Sequence, residues 1–137
     1  MVRVRLDLSY DGTDFFGWAK QPNKRTVQEE LEKSLHQIIC NDAKESISTI
    51  VGGRTDSGVH AIQQTVHFDV PEDIYNARLK FIKKHKSYET FFEFVKNKVN
   101  KILPDDIRIK NSFILISSGS ILFTLFITCH RRNNKKV

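Results

Sequence analysis

Cysteine, proline and glycine are scarce in this 137-residue chain, and each shortage removes a class of answers. Two cysteines, Cys40 and Cys129, cannot build the disulfide framework of a small secreted scaffold, and no Cys/His cluster has zinc-finger spacing. Three prolines and six glycines exclude a collagen-like or Pro-rich fibre. The opening MVRVRLDLSYDG alternates charged and apolar residues, so it is neither a signal nor a transit peptide, and the cytoplasm is the expected compartment. With 39% hydrophobic and 28% charged residues the composition is globular, enough for one domain and too short for two. The net charge of +6 is unevenly placed: all 16 acids precede Asn111, whereas Arg131, Arg132, Lys135 and Lys136 follow it. The body is therefore close to neutral, and the basic excess says little about it.

Val2, Val4, Leu6 and Leu8 alternate with Arg3, Arg5, Asp7 and Ser9, the period of a half-buried strand. Tyr10-Asp11-Gly12-Thr13 supplies turn chemistry, and Phe15-Phe16-Gly17-Trp18 is an aromatic cluster without periodicity. Thr26 and Glu29 have capping-box spacing at the start of a helix ending near Asn41, with Val27, Leu31, Leu35, Ile38 and Ile39 on one face. Ile47–Val51 and Thr65–Val70 read as strands. Residues 76–86, NARLKFIKKHK, read as a solvated Lys-rich insertion. A second helix is expected from Tyr88 to Leu103, stopped by Pro104, and Ile107 and Ile109 suggest a final short strand. The order is βαββαβ, an α+β, ferredoxin-like antiparallel sheet with both helices on one face, over residues 1–110.

Residues 111–137 differ in composition. Ser112 to Cys129 carries no charge, long enough for the lower bound of a membrane span, yet it holds four Ser, two Thr and one Gly. A buried hairpin, Phe113–Ile116 with Ile121–Ile127, is the second reading, and we expect no membrane association.

Chemistry concentrates in residues 53–61, GRTDSGVHA, a polar loop with a glycine near each end. Asp56 lies two residues after Arg54; a guanidinium beside a carboxylate favours the ionised form, which can act as nucleophile or base. Taken alone, Arg-x-Asp in a loop is far more often a surface ion pair with a side chain bonding the turn backbone. His60 and His67 have no third ligand nearby, so no metal is expected. Phe15, Phe16 and Trp18 could stack on bases, though a core or loop-anchoring role is favoured.

Four blocks change this weighting. GGRTDSGVHA followed by HFDV, LSYDGTDFFGWAKQP, RTVQEELEKSL and NKVNKILPDDIRI resemble, in order over residues 4–109, the tRNA pseudouridine synthase A (TruA) family. The resemblance implies isomerisation of uridine to pseudouridine in the tRNA anticodon stem-loop, at tRNA positions 38–40, without cofactor or metal. It implies Asp56 as the attacking carboxylate and Arg54 as its partner, which helps open the helix. It implies Tyr10 and Asp11 as site wall, with a plain turn role the equal alternative, and Thr55, Gly58 and His60 as further substrate-binding loop positions. Family members are homodimers with tRNA across both subunits, so Arg3, Arg5, Lys20, Lys24 and Arg25 are candidate phosphate contacts.

Three departures from the family pattern stand out. Ser57 replaces the usual Ala, and Gln63 stands where Gly is usual. Nothing after Ile109 resembles the family's second half, which carries a catalytic Tyr in an R-x-Y stretch; a frameshift or truncation near residue 110 is expected, with an out-of-frame tail and impaired activity. A non-catalytic RNA-binding module is the alternative, although the RNA-recognition sheet motif is missing.

Overall fold

The computed structural model describes residues 1–41, 44–86 and 90–115. Strand β1 (Val2–Tyr10) lies at the centre of a four-stranded sheet, paired antiparallel to β3 (Ala61–Val70) and to β4 (Ile107–Leu115). The two-residue β2 (Ile50–Val51) adds to β3, giving the order β2-β3-β1-β4. This is the antiparallel α+β arrangement that the sequence order implies. Val4, Leu6 and Leu8 are fully buried beneath the helices, each worth roughly 1.5–3 kcal/mol of burial.

Helix α1 (Val27–Leu35) starts where the capping spacing places it, with the Glu29 N–H donating to Thr26 Oγ1 at 3.4 Å. It widens into a π-helical turn at His36–Cys40 and stops at Asn41, whose φ of 52° Asn accepts better than most side chains. Helix α3 (Phe91–Ile102) repeats the device with Thr90 and Glu93, at 3.2 Å. The expected helix start at Tyr88 falls outside the described residues.

Three expectations need correction. The 76–86 stretch is not merely a solvated insertion: it is most of helix α2 (Glu72–His85), with Ile82 buried and Ile74, Tyr75 and Leu79 packed on the core. Four apolar residues at helical spacing suffice to dock a helix whose other positions are mostly polar or charged. The strand expected from Ile47 begins only at Ile50, because the Thr49 N–H donates to Glu32 Oε1 at 2.7 Å instead of to a strand. The last strand is longer than expected and takes in residues 111–115. An extra residue, Lys110, bulges β4 between the Leu8–Ile109 and Asp7–Asn111 pairs, so Phe113 shares the outer face with Arg5, at 5.5 Å from its guanidinium. The rest of the apolar run, 116–129, lies outside the described residues. No helix among the described residues is long and apolar enough to cross a membrane.

Candidate active site

Residues 52–60 form a loop between β2 and β3 that is fastened to the 10–18 segment along its length. The Trp18 N–H donates to Thr55 O (3.0 Å), the Gly58 N–H to Phe15 O (3.2 Å), and the Gly12 N–H to His60 Nδ1 (2.9 Å). The Tyr10 and Thr55 hydroxyls share a 2.7 Å hydrogen bond. Ser57, the replacement for Ala, adds a bond from Oγ to Phe15 O at 3.3 Å. At the base of the loop, Gln64 Nε2 donates to Gly53 O at 2.5 Å.

Two glycines permit this approach. A Cβ on Gly12 would sit 2.0 Å from Val59 O, and one on Gly17 would sit 2.7 Å from Thr55 O, where φ is already +81°. Gln63 takes no positive φ, so β3 does not require the glycine that is usual there. The aromatic cluster divides by burial. Phe15 and Trp18 are core residues against Tyr10, with both ring centroids 6.4 Å away, whereas Phe16 is exposed.

Asp56 and Arg54 are both exposed, and both line a pocket of about 280 Å³ with Phe16, Lys24, Thr55 and Ser57. No ion pair joins Arg54 to Asp56, and neither is in an ion pair with any other described residue. The Lys24 ammonium stands 4.9 Å from the Phe16 ring centroid at the pocket mouth. The pocket thus presents one carboxylate, two cations and an exposed ring, held on a backbone that its neighbours fix.

Tyr10, Asp11 and His60 line a different depression, an open groove of about 830 Å³ shared with Ile62, Arg108 and Lys110. Asp11 accepts from the Thr13 hydroxyl (2.6 Å) and backbone N–H (3.0 Å), and these bonds hold its carboxyl below the usual range. His60 Nδ1 also approaches Asp11 Oδ1 at 3.0 Å. That contact is an ion pair only when the imidazole is protonated. Gly58 lines neither depression; with φ +78° it turns the loop.

The four basic candidates other than Lys24 are already engaged. Arg3 makes a two-bond pair with Asp69 (2.9 and 3.0 Å) near the far end of β1, about 23 Å from Tyr10 at strand rise. Arg5 pairs with Asp7 at 3.2 Å. Lys20 pairs with the buried Glu32, which also receives both Thr49 groups and Gln28. Arg25 makes a fork with Asp106 (2.8 and 2.9 Å) over the Phe15 ring, and this bond lowers the Asp106 pKa. The fastening by Gly12 and Gln64 and the close approach at Gly17 were not among the expectations from sequence; the glycine within Phe15–Trp18 was the available signal. Among the described residues no group of three or more His, Cys, Asp or Glu could hold a metal ion.

The sequence profile of the tRNA pseudouridine synthase family matches residues 8–91. The tRNA pseudouridine synthase A of Bifidobacterium longum (strain DJO10A) is 51% identical over 79 residues, 56% of this chain and 26% of that protein. The Bacillus licheniformis protein of the same name is 40% identical over 111 residues, 81% of this chain and 38% of the relative. The Fervidobacterium nodosum one is 44% identical over 110 residues, 80% of this chain and 37% of the relative. The chain thus spans 26–38% of the length of these curated relatives.

Proposed function

The chain belongs to the tRNA pseudouridine synthase family, and from that premise we propose that it carries the aspartate-bearing half of an enzyme converting uridine to pseudouridine in tRNA. The observation that supports this most is the placement of Asp56: exposed, in a pocket, on a loop whose backbone is tied at both sides. The isomerisation replaces the N1–C1′ bond by a C5–C1′ bond; a proton leaves C5 and one arrives at N1. Composition is unchanged, so the balance calls for no cofactor. In this reading the Asp56 carboxylate attacks the nucleotide and frees the base to turn. A paired target has to leave the stack first, and Arg54 at the same pocket assists that opening. A homodimer in the cytoplasm, binding tRNA across both subunits, completes the proposal. Turnover requires the groups that the longer relatives carry beyond the matched part, so the 137-residue chain alone is expected to be a poor catalyst.

The test is a chimera in which residues 1–110 replace the matching part of the Bacillus licheniformis relative. Bonding at C5 releases its hydrogen, so tritium release from [5-³H]uridine tRNA reads the reaction. Release by the chimera and none with Asp56→Asn is the expected result. Equal release by both would refute the role of Asp56, and none from a folded chimera would refute the function. Release by the chain alone would refute its dependence on a second half.

A further inference from the structure

Helix α2 takes no part in the site, and its exposed face has a distinct chemistry. From Ile74 to Lys86 there is no acid. Arg78 is used internally, donating from Nε to Ile39 O at 2.7 Å. Lys80, Lys83, Lys84 and Lys86 are all exposed, and none is in an ion pair with any described residue. Among them Phe81 is 41% exposed, with its ring centroid 4.3 Å from that of His85. At about 100° per residue, Lys80 and Lys84 lie opposite the docked Tyr75, Leu79 and Ile82, while Phe81 and His85 flank the docked Ile74 at the edge of that face, with the Phe81 ring centroid 6.0 Å from that of Phe94.

A basic last turn complements the negative end of a helix dipole, which accounts for Lys83, Lys84 and His85. It does not account for Lys80, and docking on Phe94 leaves part of the Phe81 ring uncovered. We propose that this face of α2 is a second RNA-contacting surface, with its lysines on backbone phosphates and the Phe81–His85 pair stacked on an unpaired base. The proposal rests on the reading of the chain as RNA-acting. An anionic membrane is the weaker partner, because the apolar side of α2 is already packed against the core and cannot insert.

Position makes the idea specific. α2 docks at Ile39 and Phe94, whereas the Asp56 loop docks beside the start of α1. Val27 to Ile39 spans about 18 Å of helix. The surface therefore meets RNA away from the reacting nucleotide, where a full tRNA offers more backbone than the isolated stem-loop does.

The experiment compares the chain with a Lys80→Ala/Lys84→Ala variant, its fold checked by circular dichroism, in fluorescence anisotropy with tRNA and with the isolated stem-loop. Two lost phosphate contacts should weaken tRNA binding on the order of 25- to 60-fold at ~0.1 M salt and make the log–log salt slope shallower by about 1.4–1.8. Stem-loop affinity should fall less than tRNA affinity. A change within about threefold for tRNA, or an equal loss for both RNAs, would overturn the proposal. So would vesicles of phosphatidylserine and phosphatidylcholine that bind the chain, but not the variant, while tRNA binding is unaltered. Failure of the unaltered chain to bind tRNA at all would instead overturn the RNA-acting reading beneath it.

Discussion

A glycine-to-alanine series tests whether the 10–18 segment and the 52–60 loop touch as described. In Gly12→Ala the new methyl meets backbone, 2.0 Å from Val59 O and 2.5 Å from Val59 C. Ordinary carbon contacts need about 3.5–4.0 Å, so the two segments have to part by on the order of 1.5 Å. Overpacking of that kind costs about 1–3 kcal/mol. Parting also strains the Gly12–His60, Trp18–Thr55 and Gly58–Phe15 bonds, each worth about 1 kcal/mol net. The expected loss is about 3–5 kcal/mol, a large part of a typical domain's stability. Gly17→Ala combines positive φ with a 2.7 Å contact to Thr55 O and should lose about 2–4 kcal/mol. Gly58→Ala has open space and only its φ of +78° against it, for about 1–2 kcal/mol. Gly53→Ala meets nothing within 4 Å and has no positive φ, so it should be neutral or up to ~1 kcal/mol more stable. Urea unfolding gives all four from midpoint and slope. If Gly12→Ala lies within about 0.5 kcal/mol of Gly53→Ala, the contact reasoning is wrong.

Glu32→Gln should destabilise the fold by about 1–3 kcal/mol in the same assay, because the amide turns an N–H₂ towards Lys20 or towards the Thr49 donors; an unchanged midpoint would contradict that. Asp106 sits below its ordinary pKa through the Arg25 hydrogen bond, so its contribution is present above the unfolded carboxylate value of about 4. It is lost as pH falls through the lower folded value, and Asp106→Asn should flatten the stability profile across that interval; a profile as steep as the parent's would count against the pair.

The elements read from sequence were those in which one local signal decides. Strict alternation places β1, and Thr-x-x-Glu spacing starts α1. In α2 the apolar positions Ile74, Tyr75, Leu79 and Ile82 were there to be read, but the intervening lysines hid their helical spacing. β2 is short because a distant carboxylate, Glu32, takes the Thr49 N–H, which no local pattern signals. The loop with Asp56 is legible as a motif, because its glycines and polar residues are contiguous. The duties of Arg3 and Arg25 are not, because they are set by Asp69 and Asp106, 66 and 81 residues away.

The fastening of the loop has a consequence for folding fidelity. In a sheet with one buried face, a slip of one residue exposes the core, but a slip of two keeps every apolar side chain facing inward. The alternation of β1 and β3 therefore resists the first error and tolerates the second. A two-residue slip would carry Tyr10 nearly 7 Å from Thr55 and break the seating of Gly12 on Val59. The contacts that hold Asp56 in its pocket are thus also the pins that select one pairing of the central strands from its near neighbours. Sheet and site are specified by the same few atoms, so a chain that misaligns these strands loses both at once.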